Sequence, residues 1–153
     1  MRLTRYTDYC LRVLMYVGLK GEELSTIQEV AERYGISRNH LMKVVHQLNK
    51  LGYVETVRGK GGGFRLRQAP EDVNLGVLVR STEEDLMLVE CFQAGNDCRI
   101  DASCRLKGIL GEALAAFLGV LDNYTLQDLL SPRAELARIL LFVPPGAKTL
   151  PPA

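Results

Sequence analysis

Three cysteines, Cys91, Cys98 and Cys104, fall within fourteen residues in the pattern Cys91-x6-Cys98-x5-Cys104. The residues between them include Gly95, Asn96, Asp97 and Asp101 and follow neither a two-residue nor a 3.6-residue period, so the segment reads as a loop. A loop of this kind can turn several thiolates toward one centre, where a metal or iron-sulfur cluster is the natural occupant. Zinc is the nearest rival, but structural zinc usually takes four ligands with at least one short Cys-x2–4-Cys pair, and neither interval here is that short. Both histidines, His40 and His46, lie far away on a predicted helix. Three thiolates completed by an oxygen donor from elsewhere suit an iron-sulfur cluster, and burial as small apolar side chains is the plain alternative. No stretch approaches the roughly 20 apolar residues of a membrane span. The start Met-Arg-Leu-Thr also lacks a charged region followed by an apolar one. The expectation is a cytoplasmic protein with reduced thiols, Cys10 included, and no membrane partner.

At 153 residues the chain has room for one small domain with an appended arm, and 47% hydrophobic residues supply a core. Its net charge of +1 conceals a division. Residues 1–70 hold 12 Lys/Arg against 6 Asp/Glu, and residues 71–153 hold 7 against 12, giving +6 and −5. A basic half implies a polyanion as partner, and an acidic half implies a different task.

The basic half predicts a helix over about 5–19, with Tyr6, Tyr9, Cys10, Val13, Leu14 and Val17 at helical spacing. Thr26 and Glu29 form a capping box for a second, short helix ending near Tyr34. Gly35 permits a tight turn, Ile36 plugs the core, and Ser37 caps a third helix over about 38–51. In that helix Leu41, Val44, Val45, Leu48 and Leu51 form the buried stripe, while Arg38, Asn39, His40, Lys43 and Gln47 face outward. Two helices joined by a short glycine-bearing turn, the second bearing donor-rich side chains, make a helix-turn-helix with a recognition helix. Tyr53–Val57 and Phe64–Arg67 then alternate as a hairpin around the basic, glycine-rich tip Arg58-Gly59-Lys60-Gly61-Gly62-Gly63. Glycines allow close approach to a phosphate, and Arg58 or Lys60 at such a tip can enter a minor groove. The candidate contacts to double-stranded DNA are Thr26, Ser37, Arg38, Asn39, His40, Lys43, Gln47, Arg58, Lys60, Gly61 and Gly62. The tip lacks the spacing of a nucleotide-binding loop, and no nucleophile–base arrangement occurs, so an enzyme is not expected.

In the acidic half Asn74 caps a short helix through Leu75, Leu78 and Val79. Beyond Cys104, Leu106, Ile109, Leu110, Ala113, Phe117, Leu118, Leu121 and Tyr124 recur every three or four residues as the stripe of one long amphipathic helix. A lone helix cannot bury such a stripe, so it either returns onto the winged domain or pairs with its copy in a second subunit; the favoured pairing gives a homodimer able to read two half-sites. The expected fold is mainly α: a winged helix-turn-helix with a long C-terminal dimerisation helix. The expected divisions are a DNA-binding domain over 1–70, a connector and cysteine loop over 71–104, the dimerisation helix over 105–131 with Thr125–Leu130 as a capped continuation, and a tail over 132–153. In that tail an apolar piece over 136–143 precedes a proline-rich end that is expected to be loose.

Several of these segments together resemble the winged-helix iron-sulfur regulators over roughly residues 1–130. The likeness rests on Leu3-Thr4-x-x-Thr7-Asp8-Tyr9, Ser37-Arg38-Asn39-His40-Leu41-Met42-Lys43, Arg58-Gly59-Lys60-x-Gly62-Gly63, the three cysteines, Cys104-Arg105-Leu106-Lys107, and Leu121-Asp122-Asn123-Tyr124-Thr125-Leu126. The Ser-Arg-Asn-His and Asp-Asn-Tyr-Thr-Leu segments are similar to the nitric-oxide-sensing repressors of that family. IscR-type members complete their cluster with a histidine three residues after the third cysteine, where this chain has Lys107, a poor ligand at neutral pH.

The resemblance implies an iron-sulfur cluster, 4Fe-4S in preference to 2Fe-2S, held by Cys91, Cys98 and Cys104 with Asp8 of the other subunit as oxygen donor. A carboxylate in a helix's first turn is also favoured by the dipole alone. Cys10, two positions along the same helix, leaves the fourth ligand open between Asp8 and Cys10. The function implied is a cytoplasmic homodimeric repressor of nitrosative stress genes that releases a palindromic operator when nitric oxide attacks the cluster. An IscR-type regulator of iron-sulfur homeostasis and a metal-free thiol-based regulator are the alternatives.

Overall fold

The computed structural model describes residues 2–142. The element order is α1 (Arg5–Lys20), α2 (Ile27–Tyr34), α3 (Arg38–Lys50), β1 (Val54–Val57), β2 (Gly63–Leu66), α4 (Leu75–Thr82), α5 (Arg105–Asp122), α6 (Leu126–Leu129) and α7 (Arg133–Ala137). Three single 3-10 turns interrupt the connections, and Arg138–Phe142 closes the described chain as a π-turn.

Local chemistry sets the boundaries of the first three helices. Thr4 caps α1 by accepting from the Thr7 amide at 3.2 Å. Thr26 and Glu29 form the reciprocal box at the start of α2, and Ser37 caps α3. Gly35 sits in the left-handed region (φ 64°), which the turn between α2 and α3 requires. The stripe Leu41, Val44, Val45 and Leu48 of α3 is buried with Val13, Leu14 and Val17 of α1, Val30 of α2, Ile36, and Val54 and Phe64 of the hairpin. β1 and β2 pair antiparallel with Val54 opposite Leu66 and Val57 opposite Gly63. Phe64 also pairs with Ser25, so a third short piece of backbone fastens the hairpin to the start of α2.

The core does not end at residue 70. Val73, Leu78, Leu126, Leu130 and Leu140 join the same buried cluster. The chain therefore leaves the head along α5 and comes back to it. α5 stops at Asp122, rather than running on to 131, because its end is captured from α4. The Arg80 guanidinium chelates the Asp122 carboxylate (Nη2 to Oδ2, 2.8 Å), and the Asn74 side-chain amide donates to the Asp122 carbonyl (2.7 Å). Gly76 makes this approach possible, since a Cβ there would collide with the Asp122 carboxylate. The Leu75 amide donates to Tyr124 and the Leu126 amide to Val73, which reverses the chain. Asp128 then accepts from the Thr125 amide (2.7 Å) and starts the separate short helix α6.

Residues 133–142, part of the segment read from the sequence as a tail, pack on α1. Arg133 donates to the carbonyls of Gly18 and Leu19 (3.3 and 2.9 Å), which the end of α1 leaves without helical partners, and Leu140 is buried. The proline-rich end, with Val143 of the apolar piece, lies outside the described residues.

Candidate nucleic-acid interface and thiol loop

The reading surface is the outer face of α3. Ser37, Arg38, Asn39, His40 and Lys43 are exposed there and Gln47 is half-buried. The Ser37 hydroxyl lies 2.9 Å from His40 Nδ1, and the His40 ring packs against Tyr9 with centroids 6.0 Å apart. The first turn of the recognition helix is thus held from below by α1. Arg38 and Lys43 form no ion pair among the described residues, which leaves both cations available to phosphates or base edges. Thr26 is exposed at the N-terminus of α2, where backbone amides favour a phosphate.

The hairpin tip places Arg58, Gly59, Lys60 and Gly61 in solvent. Gly59 (φ 103°) and Gly61 (φ 76°) have left-handed backbones that side-chain-bearing residues rarely adopt. A Cβ on Gly62 would collide with the Val57 carbonyl, so the tip is tight as well as bare. Arg65, by contrast, is spent inside the wing: it donates to Glu55 at 2.7 Å and lies 3.6 Å from Glu22. The sequence placed Tyr9 on the apolar stripe of the first helix, and Arg5 was not among the expected DNA contacts. Arg5, Tyr6 and Tyr9 line a groove of about 250 Å³ with His40, Lys43 and Val44, which adds Arg5 to the basic surface. The available signal was a cation in the first turn of a helix, where the dipole disfavours it.

The thiol loop runs from the turn at Glu90–Phe92 to the start of α5. All four cysteines are free. Cys91 and Cys104 are half-buried, Cys98 is exposed, and Cys10 is fully buried in the head. Asn96 organises the loop: its amide donates to the carbonyls of Gln93 (3.1 Å) and Cys91 (3.4 Å), while its carbonyl oxygen accepts from the Cys98 amide (3.0 Å). Cys104 stands at the cap position of α5, so the loop ends where the helix's unpaired amides begin.

Lys107 donates to Asp101 at 2.6 Å. That bond, aided by the field of Asp101, Cys91 and Cys98, raises the ammonium above its ordinary range. Lys107 is therefore a charged group near two thiols. Among the described residues no three potential ligands already converge on a metal-sized centre, and Cys98 is open to solvent. The donor set itself, three soft sulfur donors on an irregular surface loop beside a cation and a helix N-terminus, fits an anionic iron-sulfur cluster.

The two candidates for a fourth ligand differ in placement. Burial pushes the Cys10 thiol up to about 12, against a hydrogen bond with Tyr6 that lowers it, so Cys10 is a neutral core group. Asp8 lies at the surface on α1, its carboxylate 3.0 Å from Arg12. Neither reaches the loop of its own chain as a member of a ligand cluster.

No residue from Glu83 through Thr125 is buried. The apolar stripe of α5 divides into two faces. Leu110, Phe117, Leu118 and Leu121 are half-buried, whereas Leu106 (59% exposed), Ile109 (57%), Ala113 and Val120 (57%) form an open stripe.

A helix-turn-helix with a basic wing, an open recognition helix and a separate thiol-bearing arm defines a winged-helix, DNA-binding transcriptional regulator. The chain belongs to the Rrf2 family, described as an iron-dependent transcriptional regulator, which it matches over residues 3–132. It is 54% identical over 142 residues to the HTH-type transcriptional regulator NsrR of Bacillus subtilis, covering 92% of this chain and 97% of that one. Among solved structures, IscR of T. potens superposes with a TM-score of 0.71 at 25% identity, covering 88% of this chain and 90% of that one. The global cysteine regulator CymR of B. subtilis superposes with a TM-score of 0.67 at 25% identity, covering 86% and 98%. Among the described residues no helix is long and apolar enough to cross a membrane.

Proposed function

We propose that this chain is a cytoplasmic, homodimeric repressor of nitrosative stress genes that holds a palindromic operator while an iron-sulfur cluster is bound and releases it on exposure to nitric oxide. The observation that carries the reading is the arm itself: three free thiols on one loop that ends at the cap of a helix with an open apolar stripe. The resemblance to NsrR, at 54% identity over nearly the whole chain, supports the same assignment.

Cys91, Cys98 and Cys104 would hold the cluster, with the surface carboxylate Asp8 of a second copy as the fourth ligand in preference to the buried Cys10. Lys107, tied to Asp101, offsets the negative charge of the site and does not act as ligand. A 4Fe-4S group bound there would supply iron able to take up nitric oxide. Without that group the 91–104 loop would lose the cross-links its three thiols give it, and the Asp8 carboxylate would keep its Arg12 partner. In the dimer the open stripe of α5, from Leu106 to Val120, packs against its copy. The separation of the two α3 helices then follows from how α5 sits on each head, and half-sites about 34 Å apart tolerate little error in it. A hundredfold change in operator affinity corresponds to about 2.8 kcal/mol, within reach of a few lost phosphate contacts.

The test is an anaerobic visible spectrum with iron and sulfide counts, followed by nitric oxide titration while operator binding is monitored. The reading expects one cluster per subunit, with loss of the operator in step with loss of the cluster spectrum. A colourless protein that binds the operator equally well with Cys91, Cys98 and Cys104 all replaced by serine would sink it.

A further inference from the structure

Thr4 and Thr7 belong to the opening motif of the chain, yet neither is among the candidate DNA contacts or the candidate cluster ligands. Thr7 is a fully buried hydroxyl. Its Oγ1 donates to Thr82 Oγ1 at 3.0 Å, and the Thr82 hydroxyl in turn donates to the Leu78 carbonyl. This bond fixes the start of α1 to the end of α4 inside the core.

A second fastening lies just outside it. The Glu83 carboxylate oxygen Oε1 accepts from the Thr4 backbone amide at 2.8 Å and from the Thr4 hydroxyl at 3.0 Å. Thr4 is the cap of α1, and its carbonyl accepts from the Asp8 amide at 3.1 Å. The Glu83 carboxylate and the backbone of Asp8 are therefore joined through one residue. Glu83 is also the first residue beyond α4, where the arm that carries Cys91 eight residues later begins. A charged acceptor makes the stronger kind of hydrogen bond, and a carboxylate at a helix N-terminus is favoured by the dipole.

We propose that Glu83 is a positioning residue: it ties the first turn of α1, and with it the Asp8 carboxylate, to the root of the cysteine-bearing arm. The inference rests on the proposed role of Asp8 as a cluster ligand. Helix ends fray first, and Asp8 lies in the turn that fraying would release. With Glu83 in place, Asp8 is presented from a capped, fixed turn. When the arm moves, its root pulls on the cap of α1, whose Tyr9 packs on the recognition helix.

The experiment compares full-length Glu83→Ala, Glu83→Gln and Asp8→Ala with the unaltered protein. In the cluster-free protein, amide hydrogen exchange at Thr7 and Asp8 is expected to quicken about tenfold in Glu83→Ala, as for loss of a good cap. It is expected to return close to normal in Glu83→Gln, whose side-chain oxygen still accepts. In the reconstituted protein, the visible spectrum and nitric oxide reaction rate of Glu83→Ala should match those of Asp8→Ala, and those of Glu83→Gln should match the unaltered protein. A purely structural role would lower the melting temperature and leave the spectrum unchanged, which would overturn the proposal. Unchanged amide exchange in Glu83→Ala would overturn it from the other side, by removing the tie itself. If Asp8→Ala is indistinguishable from the unaltered protein, the ligand reading fails, and the positioning role fails with it whatever the exchange data show.

Discussion

The winged head and the cysteine-bearing arm are made of the same chain but hold together differently. In the head, side chains from α1, α2, α3, the hairpin, α4, α6 and the last turn meet in one buried cluster. In the arm, from Glu83 through Thr125, nothing is buried. A region with its own core keeps its shape whatever it binds, while a region without one takes its shape from what it binds. The division of labour follows from this. The head presents a fixed set of donors to DNA, and under the proposed function the arm responds to occupancy of its thiols and to a second copy of itself.

The comparison can be broken most sharply by removing a thiol. Cys98→Ser is expected to abolish iron incorporation while shifting the melting temperature of the cluster-free protein hardly at all, since Cys98 is exposed. Iron content and calorimetry on one preparation decide it; a large loss of stability without iron would show that the arm has a core of its own.

Next in size are two substitutions of apolar residues. Leu48→Ala removes a fully buried side chain from the head and is expected to cost about 2–5 kcal/mol in denaturant unfolding. Ile109→Asp lies on the open stripe of α5 and is expected to leave the fold of the head intact while shifting sedimentation from dimer to monomer. A dimer unaffected by Ile109→Asp would place the subunit contact elsewhere.

Smaller effects are expected on the DNA surface. Asn39→Ala should cost about 1–3 kcal/mol on the operator and relax sequence preference. Lys60→Ala should weaken binding to all sequences and reduce the salt slope by about 1. Equal salt slopes for the altered and unaltered proteins would remove the wing from the interface.

The smallest effect concerns pH. Burial pushes the Glu29 carboxyl up, but the Thr26 amide and the Lys20 ammonium together hold it below its ordinary value of 4.5. A carboxyl lowered in the folded state contributes stability above its unfolded value, and that contribution is lost as the pH falls through the folded one. Glu29→Gln should therefore flatten the acid side of the head's stability curve below about pH 4.5 and leave it unchanged near neutrality. Since Glu29 is partly exposed, the expected change is small. Acid titration of unfolding in both proteins checks it.

What the sequence determined by itself was local. Caps at Thr26 and Ser37, the left-handed turn at Gly35, the buried period of α3 and the bare glycine tip all depend on residues within a turn or two of one another, and such patterns are visible in one dimension. The thiol spacing was legible for the same reason. The tertiary structure alone decided which distant residues close the head: Leu126, Leu130 and Leu140 enter its core, and Arg80 captures Asp122 past the bare backbone of Gly76. It also split the stripe of α5 into a covered and an open face, and joined Glu83 to Thr4 across 79 residues. Periodicity marks a face as apolar, but what that face meets is fixed only when the chain returns on itself and long-range hydrogen bonds and ion pairs select one arrangement.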